Sequence, residues 1–157
     1  LIQSENGVRV NDKMPLFAFN FFKKKFKIKS FIDKVILFLG VSYRGNVGDT
    51  RYTPVEPFYN FFVKAGAKVI LHDPYVSFWS ELSLKIETDL FLILKKKFQI
   101  LIISTLHDDY RNSKELINCL LKMGKLIILD TVGLFSEKEL KKLSQKNIIK
   151  VIGRGDI

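Results

Sequence analysis

Apolar and polar positions alternate in a regular order along the chain from residue 34 onward. Short apolar runs are separated by segments that repeat apolar residues at helical spacing, and Gly, Pro, Asn or Asp stand at most junctions. The apolar runs predict five strands, over residues 34–40, 67–74, 98–105, 125–131 and 148–153. The other segments predict helices over residues 53–66, 112–124 and 136–147, and a short helix near residues 81–88. Strands that alternate with helices predict a doubly wound, Rossmann-like α/β domain with a parallel sheet of about five strands.

The first helix of this region carries signals at both ends. Thr53 is a good N-cap, Pro54 suits the first helical position, and Glu56 would complete a capping box. Gly66 is the expected terminator, because glycine readily adopts the backbone conformation that ends a helix.

Residues 1–34 differ from the rest, since they show no clean period and hold a stretch rich in Phe and Lys over residues 17–31. Its aromatic residues fit one face of a helix, and Pro15 limits where that helix begins. We interpret residues 1–33 as a helical connector whose packing partner is missing, followed by a domain over residues 34–157. We therefore expect residues 17–31 to be partly exposed and prone to association. The chain begins with Leu, so we expect it to be a piece of a longer protein.

Length and composition place the chain among globular domains. Its 157 residues suffice for one domain with a substantial core. No apolar run approaches the ~20 residues of a membrane span, and residues 1–10 lack the apolar segment of a signal peptide. The lone cysteine, Cys119, excludes an internal disulfide and is typical of a reducing cytoplasm, where we expect the protein to be. Because Cys119 lies among leucines on a predicted helix, we interpret it as a core residue.

The net charge of +10 raises the question of nucleic-acid binding. Of the 26 basic residues only five are arginine, and the lysines stand in runs among Phe, Ile and Leu. Proteins that recognise bases or stack on them use arginine and aromatic residues in a defined arrangement. We interpret the charge as a compositional bias on solvated faces, and we expect no nucleic-acid partner.

Residues 40–54, GVSYRGNVGDTRYTP, follow the first predicted strand and lead into the first helix of the α/β region. Ligands of doubly wound sheets bind at this edge. The spacing of Gly40, Gly45 and Gly48 fits neither a dinucleotide-binding fingerprint nor a Walker loop. What remains is a flexible loop with Arg44 and Arg51 that runs into the positive end of a helix, where phosphate binds well. The residues alone leave two alternatives open, an anion site and a solvated turn with incidental charges.

The same stretch resembles the motif that opens the C-terminal domain of the UDP-glucose/GDP-mannose dehydrogenase family. That motif is a strand, Gly, a small residue, Phe or Tyr followed by Lys, and then Asp-x-Arg-x-Ser-Pro. Five residues match it: Gly40, Tyr43, Asp49, Arg51 and Pro54.

Further similarities follow in the family's order. Residues 10–15 resemble the end of the family's long central helix, especially in the UDP-N-acetylhexosamine branch, and residues 152–155 resemble its closing segment. Between them lie three landmarks at the ends of the second, third and fourth strands, namely Asp73–Pro74, His107 with Tyr110, and Asp130–Thr131.

This resemblance implies a function. The family's enzymes oxidise the C6 alcohol of a nucleotide sugar to a carboxylate in two NAD-dependent steps, and an N-terminal Rossmann domain supplies the NAD site and a catalytic cysteine. This chain would be the C-terminal part that binds the UDP-sugar. Tyr43 and Arg44 would contact the UDP-sugar, and Arg51 would lie near the phosphates of the cofactor. In the family the central helix builds a homodimer, of which residues 1–33 would be a remnant.

Several positions depart from the family's pattern. Arg44 replaces the usual lysine, which keeps the charge and changes its reach. Tyr52–Thr53 replaces Glu-Ser, and Val132 stands where the family commonly has an arginine that helps to bind substrate. The sequence supplies no catalytic residue in the family's context and predicts no metal site, so we expect the chain alone to be inactive.

The two histidines have simpler interpretations. We expect His107 to cap the helix that follows it and His72 to be structural. Three functions then remain: part of a nucleotide-sugar 6-dehydrogenase, a stand-alone UDP-sugar-binding module, and a basic nucleic-acid-binding domain, which is disfavoured.

Overall fold

A computed structural model of the chain describes the backbone of residues 2–111 and 113–154, and the side chains of residues 13–111 and 113–154. The strands are β1 (Val35–Leu39), β2 (Lys68–His72), β3 (Phe78–Trp79), β4 (Leu84–Lys85), β5 (Ile100–Ile103), β6 (Ile127–Asp130) and β7 (Ile148–Val151). The helices are α1 (Ile2–Phe26), α2 (Val55–Lys64), α3 (Leu90–Leu94), α4 (Lys114–Met123) and α5 (Glu137–Leu143).

Five strands form one parallel sheet in the order β2-β1-β5-β6-β7. They are the five strands that the apolar runs predict, so the doubly wound, Rossmann-like α/β fold is confirmed. The chain passes from β1 to β2 on one side and then crosses to β5 on the other side of β1. Ligands of such sheets bind beyond the carboxyl ends of the strands where the strand order reverses. The loops that follow β1 and β5 meet at this point.

The central strand β1 separates two apolar layers, because successive side chains of a strand point to opposite faces. Leu37 and Leu39 pack in a buried cluster with side chains of α4 and α5. Ile36 and Phe38 pack in a second cluster with side chains of α1 and α2. The sheet is thus covered on both faces, as its continuous apolar strands require.

Helix α1 continues through Pro15, so the prediction that this proline limits the start of the helix is wrong. A proline inside a helix removes one backbone hydrogen bond. Packing against α2 offsets that loss: Phe22 is fully buried, and its ring lies edge-on to Phe62 with centroids 5.4 Å apart. The packing partner that we expected to be missing is therefore α2.

The expected partial exposure of residues 17–31 is confirmed. Phe17 is 56% exposed, whereas Phe22 and Phe31 are buried against α2. Association through this segment and the domain boundary at residue 33 stay predictions. Among the described residues, no helix has the length and apolar character that a membrane crossing requires.

The sequence signals that predicted the start and the end of α2 can be compared with the structure. The helix begins at Val55 with Pro54 at its N-cap, so the start predicted with Thr53 as the N-cap is one residue too early. The Thr53 hydroxyl accepts a hydrogen bond from the Val55 amide at 3.3 Å. Within the described residues the Glu56 carboxylate makes no hydrogen bond that would complete a capping box, so that prediction is wrong. The terminator is confirmed, because Gly66 has a φ of +90° and its amide donates to the carbonyl of Val63. A capping box does occur at the start of α5.

The prediction of a short helix near residues 81–88 is wrong. A single 3₁₀ turn over Ser80–Leu82 joins β3 to β4, which pair as a short antiparallel hairpin. The helix of this region is α3, which begins later because Asp89 caps it by accepting hydrogen bonds from two amides of its first turn.

Candidate functional site

The candidate site is built on residues 40–54, called the β1–α2 loop from here on. It lies where the strand order reverses, beside the loops that follow β2 and β5. The Tyr43 amide donates to the Asp49 carbonyl at 2.7 Å and closes the loop on itself. Side chains from both neighbouring loops then hold it in place.

Asp73, at the end of β2, is the principal anchor of the β1–α2 loop. Its Oδ2 accepts hydrogen bonds from the amides of Val41 at 2.8 Å and Ser42 at 3.0 Å, and from the Ser42 hydroxyl at 2.5 Å. Its Oδ1 accepts the Tyr75 amide at 2.9 Å. Burial alone would raise the pKa of this fully buried carboxyl, but hydrogen bonds from His107, Ser42 and the backbone lower it to about 2. Asp73 is therefore a structural carboxylate.

His107, in the loop after β5, is fully buried and links two loops. Its Nε2 donates to Asp73 Oδ2 at 3.1 Å, and its Nδ1 accepts the Asn46 amide at 3.0 Å. These partners fix the neutral tautomer with hydrogen on Nε2. The expectation that His107 caps the next helix is wrong, because both ring nitrogens are used between loops.

Further contacts seat the β1–α2 loop on the loop after β5. The Asn46 side chain donates to Asp108 Oδ2 at 2.7 Å and accepts the Asp108 amide at 2.9 Å. The Thr105 hydroxyl donates to the Ser42 carbonyl at 2.8 Å.

The glycines of the β1–α2 loop permit close packing and do not leave room for a ligand. A Cβ atom on Gly45 would lie 2.0 Å from the Leu106 carbonyl oxygen, and one on Gly48 would lie 2.5 Å from that of Tyr75. Both contacts are far too short for a carbon atom. The loop is accordingly pinned by its neighbours, and the sequence-based view of a flexible loop is corrected.

The three predicted binding residues have different environments. Tyr43 is 60% exposed, and Arg44 and Arg51 are also exposed. Arg51 forms an ion pair with Asp49 at 2.7 Å. Arg44 makes no hydrogen bond or ion pair with any residue that the structure describes. The roles of these three residues stay predictions.

An open groove of about 660 Å³ runs beside the loop. Among the described residues that line this groove, Tyr43 is the one that the sequence predicts to bind the ligand. Its walls are formed by Met14, Pro15, Tyr43, Tyr52, Thr53, Pro54, Glu56 and Pro57. Glu56 places a negative charge at the start of α2, which opposes anion binding at that helix end.

A smaller pocket of about 210 Å³ shares three wall residues with this groove. It includes Ser104, Thr131 and Ile152, which follow β5, β6 and β7. Val132 also lines it, at the position where the resembled family commonly has an arginine. At this point of the sheet's carboxyl edge, the apolar side chain of Val132 therefore stands where the resembled family commonly has a second cation.

Sequence reasoning named Asp73 and Asp130 as landmarks at strand ends but missed that their carboxylates shape the loops that surround the site. Asp130 is fully buried, and its carboxylate accepts amides of the following loop, from Val132 at 3.0 Å and Gly133 at 2.7 Å. A carboxylate at the end of a largely apolar strand was the available signal, since a buried charge needs several hydrogen bonds.

The remaining candidates are structural or unreactive. His72 is fully buried, with Nδ1 2.9 Å from the Tyr110 hydroxyl, and burial lowers the pKa of its imidazole, so the structural interpretation is confirmed. Cys119 is only partly buried and packs against the core cluster. Burial raises the pKa of its thiol, which is the opposite of an activated nucleophile. Within the described residues, no three His, Cys, Asp or Glu side chains form a group that could hold a metal ion.

Comparison with known proteins gives a consistent match. Residues 37–137 match the model of the UDP-glucose/GDP-mannose dehydrogenase family, UDP binding domain. A UDP-N-acetyl-D-mannosamine dehydrogenase of Methanocaldococcus jannaschii is 34% identical over 154 residues, which cover 94% of this chain and 32% of that protein. An enzyme of the same name from Methanococcus vannielii is 28% identical over 153 residues, covering 93% and 33% of the two chains.

Two solved structures are similar in fold and sequence. An NDP-N-acetyl-D-galactosaminuronic acid dehydrogenase from Methanosarcina mazei has a TM-score of 0.76 and 25% identity, over 93% of this chain and 30% of its own. A UDP-D-ManNAc dehydrogenase from Pyrococcus horikoshii has a TM-score of 0.73 and 25% identity, over 95% of this chain and 33% of its own. The chain thus spans about a third of the length of the proteins it matches.

Proposed function

This chain belongs to the UDP-glucose/GDP-mannose dehydrogenase family, and from that premise we propose that it is the nucleotide-sugar-binding part of an NAD-dependent UDP-sugar 6-dehydrogenase. The reaction would oxidise the C6 alcohol of the sugar to a carboxylate. Because the relatives from Methanocaldococcus jannaschii, Methanococcus vannielii and Pyrococcus horikoshii are named for UDP-N-acetyl-D-mannosamine, we propose a UDP-N-acetylhexosamine as the ligand.

The observation that carries this proposal is the presentation of Tyr43 and Arg44 by a pinned loop at the carboxyl edge of the sheet. Tyr43 lines the 660 Å³ groove, and the adjacent guanidinium has no partner among the described residues. An unpaired arginine can hold a diphosphate through two parallel hydrogen bonds. An exposed tyrosine ring offers a face for a base or sugar.

We assign Arg51 to the phosphates of the cofactor. Its pair with Asp49 uses Nε and Nη2, which leaves Nη1 without a hydrogen-bond acceptor in the described part of the chain. A phosphate on that side would bind without breaking the existing pair.

We propose that NAD is not held by the β1–α2 loop, the glycine-containing loop that opens the α/β domain among the described residues. The loop glycines lack the required spacing, and two of them lie against neighbouring carbonyl groups. Cys119 is also unsuited to act as the nucleophile, because it lies on α4 in a setting that favours the neutral thiol. We propose that the remainder of a longer protein supplies the cofactor site and the catalytic cysteine.

Calorimetric titration with UDP tests the proposal, and random-sequence DNA at several salt concentrations serves as the comparison. We expect saturable UDP binding, stronger for UDP-N-acetylhexosamines than for UDP-glucose, and no NADH formation by this chain alone with NAD and any UDP-sugar. Absence of UDP binding would overturn the proposal. Tight, salt-dependent DNA binding without UDP binding would instead support a nucleic-acid function.

A further inference from the structure

We propose that His107 is a positioning residue, which holds the β1–α2 loop in the conformation that presents Tyr43 and Arg44 to the nucleotide sugar. The part of this inference that concerns the ligand rests on the proposed function. His107 itself is fully buried and does not contact the ligand groove.

The placement of His107 supports this role. Its imidazole lies between the Asp73 carboxylate, at 3.1 Å, and the Asn46 amide, at 3.0 Å. Asn46 is two residues beyond Arg44, and Gly45 between them rests directly on the carbonyl group of Leu106. The histidine thus joins the carboxyl ends of three neighbouring strands immediately beside the exposed arginine.

The loop needs such support, because Asn46 has a φ of +61°. A non-glycine residue in the left-handed region persists where surrounding contacts enforce it. The His107 acceptor for its amide and the paired hydrogen bonds with Asp108 are those contacts. Loss of the imidazole acceptor would leave a buried ring position empty and the Asn46 amide without its partner.

Histidine fits this position because it offers an acceptor and a donor at a fixed separation on one planar ring. Asparagine can place a carboxamide oxygen near the Nδ1 position and keep the contact with Asn46. Glutamine reaches further, to the Nε2 position, and keeps the contact with Asp73. The two substitutions therefore separate the two hydrogen bonds of His107.

His72 provides a matched control. It is equally buried and belongs to the same aromatic cluster, with its ring centroid 5.6 Å from that of Tyr110, while His107 lies at 5.3 Å from the same ring. The partners of its imidazole are the Tyr110 hydroxyl and the Thr88 carbonyl, neither of which belongs to the β1–α2 loop. Its backbone carbonyl accepts the Gly40 amide, a contact that H72Q leaves in place.

The test compares the full chain with H107N, H107Q and H72Q. The measurements are UDP affinity by calorimetry, hydrogen exchange of the Asn46 amide by NMR, and stability in urea. We expect H107Q to bind UDP about tenfold more weakly and to exchange the Asn46 amide faster, since one buried hydrogen bond is lost. We expect H107N to stay within about threefold of the parent chain in affinity, and H72Q to lose stability while it keeps its affinity.

Three outcomes would overturn the inference. One is unchanged affinity and unchanged Asn46 exchange in a folded H107Q. Another is a loss of UDP affinity that stays in the same proportion to the loss of stability in urea in all three variants. That result is expected if His107 is merely structural. The third needs no substitution: ¹⁵N NMR of the parent chain that shows the hydrogen of His107 on Nδ1 would contradict the bridge.

Failure of the proposed function gives a different result. If the parent chain binds no UDP, the functional proposal falls, while Asn46 exchange still decides whether His107 positions the loop. Faster exchange in H107Q than in H107N would support positioning, and equal rates would refute it.

Discussion

Arg51 holds Asp49 through two parallel hydrogen bonds, from Nη2 to Oδ2 at 2.7 Å and from Nε to Oδ1 at 3.0 Å. These hydrogen bonds lower the pKa of the Asp49 carboxyl to about 2. Arg44, in the same loop, has no such partner among the described residues. The two arginines therefore differ in what they offer a ligand: Arg51 is already paired, and Arg44 has its full set of donors available.

The first prediction concerns Arg44. Replacement by Ala should weaken UDP binding by about 1.5–3 kcal/mol, or roughly tenfold to a hundredfold in dissociation constant, without unfolding the domain. Replacement by Lys should retain most of the affinity, because the charge stays while the two-pronged geometry is lost. Calorimetric titration of UDP is the measurement, and R154A is the control for removal of an exposed arginine. Equal affinity in all four proteins would mean that Arg44 is a solvated surface charge.

Val132 offers the reverse experiment. It lines the small pocket beside the groove, where the resembled family commonly places a cation. Val132→Arg should tighten UDP binding by about tenfold, since a charge-assisted hydrogen bond would be added. Val132→Leu enlarges the side chain without charge and should not increase the affinity. A similar gain with leucine would attribute the effect to apolar contact, and no gain with arginine would place the diphosphate elsewhere.

The sheet could be predicted from the sequence because each strand contains a run of apolar residues bounded by turn residues, and such a run is recognised without knowledge of its neighbours. The loop contacts were not readable in this way. Ser42 and Asp73 are 31 positions apart, and Asn46 and His107 are 61 apart, so their hydrogen bonds exist only once the strands are ordered.

The position of α1 was missed for the same reason. Its aromatic residues resemble a surface without a partner until α2 is placed against them. Tyr43, Arg44 and Arg51 are proposed binding residues. Arg44 and Arg51 stand out by their place in the loop, and the family motif adds Tyr43, since an exposed side chain leaves no periodic signal. The pattern did not indicate that the buried residues Asp73 and His107 hold this loop in place.

Packing of the β1–α2 loop predicts a large effect of Gly45→Ala. The added Cβ would overlap the Leu106 carbonyl oxygen, so the loop must shift, at a cost of roughly 1–3 kcal/mol. Both the free energy of unfolding in urea and the UDP affinity should fall. Gly133→Ala measures backbone strain alone, because a φ of +70° disfavours alanine while no neighbouring atom lies within 4 Å of a Cβ there. Unchanged stability and unchanged UDP affinity in Gly45→Ala would show that the loop has room.

The buried ionisable groups predict a loss of stability in acid. Burial lowers the pKa of the folded His72 imidazole below its ordinary 6.5, so the unfolded chain takes up a proton first and stability declines as pH falls below that value. The Asp73 carboxyl has a pKa of about 2 instead of 3.8, and contributes roughly 2 kcal/mol above about pH 4, which is lost toward pH 2.

Urea unfolding at a series of pH values checks this prediction. Asp73→Asn should be less stable than the parent chain at neutral pH. Its free energy of unfolding should also depend less on pH below about pH 4. His72→Gln should instead flatten the dependence of the free energy of unfolding on pH immediately below about pH 6.5. If a substitution leaves the change of unfolding free energy with pH as it is in the parent chain, within the pH range named for that residue, other groups cause the acid sensitivity there.

The exposed part of α1 predicts self-association. Met14, Leu16 and Phe17 are each 45–56% exposed on this helix, and together they present apolar surface next to a buried aromatic cluster. An exposed apolar patch of this kind promotes association.

We expect the average mass measured by light scattering to rise with protein concentration, and to fall back toward the monomer in Phe17→Ser. Phe91→Ser is the matched control, because Phe91 is 60% exposed on the distant helix α3 and should leave association unchanged. Monomeric behaviour of the parent chain at high concentration, or equal effects of the two serine variants, would show that α1 is not the associating surface.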